Sequence, residues 1–187
     1  ILKKWLKLEF SLNKVIINEK IKCDLISYID NFKNGQKWYN ERHVRYKTGI
    51  LLEGEPGNGK TSLALSIAQH LGYQYLSVNL ADLAIPLDNI TTQCSGKYVI
   101  VFEDIDVCFN MRESSNPKVS FDSMLKILDG YSLDENIIII LTTNHIEKLD
   151  PALIRSGRID KIFEIKNPTK IEIEEYVNIF FNCDIKL

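Results

Sequence analysis

The chain has 187 residues, 45% of them hydrophobic and 26% charged, with a formal net charge of −2. That is the composition of one globular domain, or one domain with a piece of another, long enough to bury a real core. It excludes bulk attraction to nucleic acid or anionic lipid, and no apolar run approaches the ~18–20 residues that span a bilayer. The sequence starts at Ile1 rather than Met, with no charged-then-apolar leader; the expectation is an excised or processed fragment, any membrane anchor lying outside it. Cys23, Cys94, Cys108 and Cys183 are far apart, as are His43, His70 and His145. Neither a zinc site nor a disulfide framework is expected, and reduced thiols fit an intracellular compartment.

Leu6, Leu8, Phe10 and Leu12 alternate with polar residues, which predicts a half-buried strand. Residues 1–15 are assigned to a preceding domain. Asn18 caps a helix with the apolar stripe Ile21, Leu25, Ile29 and Phe32, ended by Asn34-Gly35. Residues 38–48 read as a polar and aromatic connection. Ile50 to Leu52 form a strand, and residues 61–71 a helix on Leu63, Ala64, Ile67, Ala68 and Leu71, with Gly72 as its terminator. Tyr75 to Val78 is a second strand. Residues 80–96 carry no secure helix. Tyr98 to Phe102 and Ile137 to Leu141 are continuous apolar runs, as in strands buried on both faces. Between them Ser120 caps a helix bearing Phe121, Met124, Leu125 and Leu128, closed by Gly130, and Arg112 to Pro117 is loop-like. Asp150-Pro151 is expected to open a short helix, Ile162 to Ile165 to form a strand, and Thr169 with Glu172 to make a capping box before Ile173, Val177, Phe180 and Phe181. Buried strands alternating with amphipathic helices predict an α/β fold whose parallel sheet is covered on both faces.

Gly54, Glu55, Pro56, Gly57, Asn58, Gly59, Lys60 and Thr61 spell G-x-x-x-x-G-K-[ST] between a strand and a helix. That context makes the pattern a phosphate loop: backbone N–H groups and the helix N-terminus surround phosphate oxygens. With Ser62 these are the predicted nucleotide-binding residues. Lys60 is assigned to the β- and γ-phosphates and the Thr61 hydroxyl to Mg²⁺. The 98–102 strand runs into Glu103-Asp104-Ile105-Asp106, where open α/β sheets bind ligands. Glu103 is assigned to the metal and Asp104 to the attacking water. Asn144, at the tip of the next buried strand, is placed to bond the γ-phosphate or the water. Only 5 residues are Arg against 18 Lys, yet Arg155 and Arg158 fall within four positions. Two arginines in a lysine-preferring chain suggest a task that needs the planar guanidinium, such as stabilising γ-phosphoryl transfer.

Loop, acidic strand tip, Thr142-Thr143-Asn144 and the stretch Leu149 through Asp160 together resemble the AAA ATPase family. Lys37-Trp38-Tyr39, the order Glu103-Asp104, and Leu128-Asp129-Gly130 resemble one subfamily in particular, the cytochrome bc complex assembly chaperones that translocate the Rieske iron–sulfur protein. The resemblance covers about Phe10 to Phe181. It implies a P-loop three-layer sandwich with a five-stranded parallel sheet over residues 16–168, and a truncated helical lid starting in 169–187. It implies ATP and Mg²⁺ as ligands, Asn144 as the first sensor, and Arg155 and Arg158 as fingers acting on a neighbouring subunit's ATP. The partners implied are the chain's own subunits in a ring of six or seven and a protein substrate, with no nucleic acid. Mitochondrial members of that subfamily are anchored in the inner membrane, while the Lys, Ile and Asn bias fits an AT-rich genome such as that of a large DNA virus or a protist.

Two departures shape the expectations. Most AAA proteins have Asp-Glu at the acidic strand tip, the reverse of this chain. Residues 79–96 hold no aromatic, which argues against the aromatic pore loop of peptide-threading rings. Two alternatives to a hydrolysing chaperone therefore stand: a nucleotide-gated scaffold with little hydrolysis, and a DNA-directed loader or helicase, which the acidic balance disfavours.

Overall fold

The computed structural model describes residues 11–81, 87, 89, 96–110, 113–114, 119–130 and 136–182. Its frame is a five-stranded, all-parallel sheet of β1 (Lys47–Glu53), β2 (Gln74–Asn79), β3 (Tyr98–Glu103), β4 (Ile137–Thr143) and β5 (Lys161–Glu164), in the order β5-β1-β4-β3-β2. The three central strands are the apolar runs of the sequence, and β4 is buried at every position.

Because side chains alternate across a strand, the same runs supply two cores. Ile50, Leu52, Val99, Val101, Ile138 and Ile140 face one layer, with α1 (Glu19–Asn34) and α3 (Lys60–Leu71) above them through Leu25, Ile29, Phe32, Leu63, Ile67 and Leu71. Leu51, Ile100, Phe102, Ile139 and Leu141 face the other, against Met124, Ile127 and Leu128 of α4 (Phe121–Leu128) and against Leu149 and Leu153. This is the α/β three-layer sandwich expected. The register aligns Glu53 with Thr143 and Asn79 with Glu103, so the carboxyl ends of four strands share one edge.

Local signals place the helices. The Asn18 side chain accepts N–H bonds from Lys20 and Ile21 at the start of α1, and Ser120 caps α4 through the N–H of Ser123. Gly72 ends α3 in the left-handed conformation (φ 71°) that glycine adopts without strain. Thr169 and Glu172 form the capping box of α5 (Lys170–Phe181). That helix leaves Ile171, Tyr176, Ile179, Phe180 and Phe181 exposed.

Three expectations are corrected. Residues 36–41 form a helix, α2 (Gln36–Glu41), within the predicted connection; Tyr39 packs its ring against Phe32 and Tyr46, which fixes a segment too short to show a helical stripe. Leu12 lies in a 3₁₀ turn (Leu12–Lys14), not a strand, and is buried with the α1 and α3 core; the rest of that predicted strand, residues 6–10, lies outside the described residues. Asp150-Pro151 opens a series of turns rather than a helix. Asp150 accepts the N–H of Ala152 at 2.8 Å as a cap would, but Gly157 then takes φ 87° and the segment is tied to other elements instead of propagating. The loop expected at 112–117 contributes Glu113–Ser114 to a two-residue antiparallel ladder with Phe109–Asn110. Most of 80–96 and residues 183–187, including Cys94 and Cys183, lie outside the described residues. Among those described, no helix is long and apolar enough to cross a membrane.

Candidate active site

The loop leaves β1 at Gly54, whose N–H reaches the Thr143 carbonyl at 3.3 Å. Gly57 and Gly59 both hold positive φ (87° and 81°), and a Cβ added at either would meet nothing within 4 Å. The loop thus curls around open space. Gly59 precedes α3 without any side-chain cap, so the first N–H groups of the helix point at that space without intrahelical partners. A phosphate fits this donor set.

Lys60 lies in the first turn of α3 and is only 7% exposed. Its ammonium donates to the carbonyls of Gly54 (2.6 Å) and Glu55 (3.0 Å) and to Oδ1 of Asn144 (2.7 Å). Burial pulls its pKa below the ordinary 10.5, against which the charges of Asp104, Asp106 and Glu55 act upward. The structure thereby brings together two predicted residues, Lys60 and Asn144, that lie 84 positions apart. Asn58 braces the loop from outside, donating to the Ile165 carbonyl (3.0 Å) and to Asn167 (2.9 Å).

Glu103 and Asp104 stand at the same edge. The Ser77 hydroxyl on β2 bonds the Glu103 carboxylate. Asp104 takes a left-handed backbone conformation (φ 48°), which Asp tolerates better than most residues, and its N–H donates to the Thr142 hydroxyl at 2.9 Å. Asp106 also organises this edge, a role outside the sequence expectation. It accepts the Thr143 hydroxyl at 2.7 Å and the Asn144 N–H at 3.2 Å, so it sets where the Asn144 side chain begins. Its place two residues beyond Asp104 is the signal that would have found it. Thr61 and Ser62 are exposed on the first turn of α3. Among the described residues no group of three or more His, Cys, Asp or Glu could hold a metal ion.

Arg155 and Arg158 lie elsewhere. The turn that carries them rests on the start of β1: Asp160 donates its N–H to the Gly49 carbonyl (2.8 Å), and Lys47 donates to the Gly157 carbonyl (2.6 Å). The Asp160 carboxylate accepts the Thr48 hydroxyl (3.2 Å) and the N–H groups of Gly49 (3.1 Å) and Gly157 (3.2 Å). At about 3.3 Å per residue the turn sits roughly 16 Å down β1 from the loop at Gly54. Arg155 is exposed. Arg158 is locked to Asp129 by two parallel bonds, 2.7 and 2.9 Å, and this pairing holds the Asp129 carboxyl below its usual range. The pairings of Asp129, Asp160 and Lys47 span 29 to 112 positions and leave no local pattern in the sequence.

The sequence model of the ATPase family associated with various cellular activities (AAA) matches residues 50–167. The chain is 34% identical to the probable mitochondrial chaperone bcs1 of Schizosaccharomyces pombe, over 91% of this chain and 40% of that protein. It is 32% identical to the human mitochondrial chaperone BCS1, over 80% of this chain and 38% of that protein. It is 31% identical to AAA-ATPase At3g28600 of Arabidopsis thaliana, over 83% and 38%. The chain spans about two-fifths of the length of the curated relatives it matches.

Proposed function

The chain belongs to the AAA family of ATPases, and from that premise we propose that it hydrolyses ATP at sites shared between subunits of a ring and uses the cycle to remodel or move a protein substrate. The observation that carries the shared site is the separation within one chain: Lys60 meets Asn144 beside Asp104 at one end of the sheet, while Arg155 is exposed on the turn whose Asp160 bonds Gly49 near the start of β1. The turn that carries this arginine is fastened far down β1 from its own loop, which supports its use on a neighbour.

In this reading Gly57, Gly59 and the start of α3 bind phosphate oxygens through backbone N–H groups, and Lys60 neutralises the terminal phosphates. Mg²⁺, when bound, supplies further charge neutralisation, and Thr61 and Glu103 would hold it. Asp104 orients the attacking water and Asn144 steadies the γ-phosphate. Arg155 from the adjacent subunit stabilises the charge of transfer, an effect worth ~10³–10⁵ in kcat. Residues 16–168 act as the nucleotide domain, and α5 begins a helical lid; the apolar side chains it leaves in solvent support that assignment. The chaperone role and a mitochondrial location rest on the names of the relatives.

The test is to mix Arg155→Ala subunits with Lys60→Ala subunits, each of which is expected to hydrolyse little ATP alone. Turnover is expected to return in the mixture, because the intact phosphate loop of one variant meets the intact arginine of the other. Mixtures that stay inactive would defeat the in-trans assignment. Unchanged ATP affinity and turnover in Lys60→Ala would defeat the nucleotide site itself.

A further inference from the structure

We propose that Arg158 is a positioning residue, which aims Arg155 at the neighbouring subunit through its fork with Asp129, and is not itself a second finger. The inference rests on the in-trans reading above. The guanidinium of Arg158 is committed within its own chain: Nε and Nη2 donate to the two Asp129 oxygens at 2.7 and 2.9 Å, and Nη1 donates to the Ala152 carbonyl at 2.7 Å. Three of its five N–H donors are thus fixed in direction by one planar head. Only 13% of the side chain is exposed. To touch a phosphate on another subunit it would have to leave all three partners, stranding a partly buried carboxylate that also senses Lys47.

Arg155 stands three residues earlier on the same turn. Its carbonyl accepts the N–H groups of Arg158 (3.0 Å) and Ile159 (3.1 Å), so the backbone bearing Arg155 is bonded to the residue whose head is clamped. The clamp itself is the cap of α4, since Asp129 follows Leu128 directly. Arg45 and Lys47 secure the same corner through the carbonyls of Gly130 and Leu128. The arginine turn is therefore fastened to a helix end and to the start of β1. This is the arrangement of one presented group and one strut.

The experiment measures ATP turnover and ATP affinity in the assembled protein. Asp129→Asn removes the charge at nearly constant shape, and Arg158→Lys keeps the charge but loses the fork. Each is expected to lower kcat about 10²-fold, the scale of misplacing a catalytic group by ~1 Å, with ATP affinity unchanged, and the double variant to lose no more than the worse single. Mixing Asp129→Asn subunits with Lys60→Ala subunits is expected to restore turnover, since one partner keeps its phosphate loop and the other its arginine turn. Wild-type kcat in Asp129→Asn beside a loss in Arg158→Lys would overturn the inference and make Arg158 a direct phosphate contact. Rescue of Arg155→Ala by Lys60→Ala, without rescue of Asp129→Asn, would also overturn it, because the pair would then support the whole domain. If Arg155→Ala is not rescued either, the in-trans reading falls and takes the inference with it.

Discussion

Gly49 separates packing from chemistry. It lies in β1 directly beneath the arginine turn, and a Cβ added there would stand 1.8 Å from the Arg158 carbonyl oxygen and 2.8 Å from its carbon. Such contacts do not fall below 3.0 Å, so Gly49→Ala must open the gap by about 1.2 Å. The strand is hydrogen-bonded to β4 along its whole length and to β5 from Ile50 onward, so the turn is what yields. The bonds stretched are Asp160 N–H to the Gly49 carbonyl (2.8 Å) and Gly49 N–H to the Asp160 carboxylate (3.1 Å). Two hydrogen bonds at about 1 kcal/mol each, with ~1–3 kcal/mol for overpacking, give a destabilisation of roughly 3–5 kcal/mol. At ~2–4 °C per kcal/mol the melting temperature drops by about 6–20 °C. Turnover falls about 10²-fold as Arg155 is displaced, while the phosphate loop beyond the far end of the strand keeps its ATP affinity. Thermal unfolding, nucleotide titration and steady-state hydrolysis read the three quantities. A variant with wild-type melting temperature and wild-type kcat would refute the reasoning.

Other perturbations follow the same logic. Asp106→Asn weakens the charge-assisted bonds to Thr143 and Asn144; kcat is expected to fall by about 10–10² at ~1.5–3 kcal/mol, with little change in ATP affinity by titration. Thr169→Ala removes the capping box of α5 and should lower stability by about 1 kcal/mol in urea unfolding, without affecting hydrolysis. Asp129 is held below its ordinary value of 3.8 chiefly by its hydrogen bonds to Arg158. A carboxyl depressed in the folded state contributes stability above its unfolded pKa and loses that contribution as pH falls through its folded value. The acid limb of the stability curve below about pH 4 should therefore be shallower in Asp129→Asn, as urea midpoints at stepped pH would record.

What was legible in the sequence was whatever chemistry wrote locally. The runs at 98–102 and 137–141 announce strands buried on both faces, and β1 and β3 through β4 pair in the parallel sheet expected. Asn18, Ser120 and Thr169 are caps because their side-chain oxygens meet N–H groups two or three residues on. The phosphate loop is contiguous, so its glycines could be read directly. What was hidden depends on distant partners. Helix α2 is fixed by Tyr39 against Phe32 and Tyr46, and it has too few turns to show a stripe. Asp-Pro opens a turn as readily as a helix, and the ties from Asp129, Lys47 and Asp160 decide between them. The engagement of Arg158 is likewise invisible without its partner 29 residues earlier.

Hydrolysis by subunits held apart tests the shared site most directly. Turnover per subunit would be followed on dilution, with light scattering recording the assembly state and a fluorescent nucleotide recording binding. Monomers are predicted to bind ATP as assembled subunits do and to hydrolyse it at least ~10³-fold more slowly, for want of a neighbour's Arg155. Monomers that hydrolyse ATP at the assembled rate would contradict a site completed between subunits.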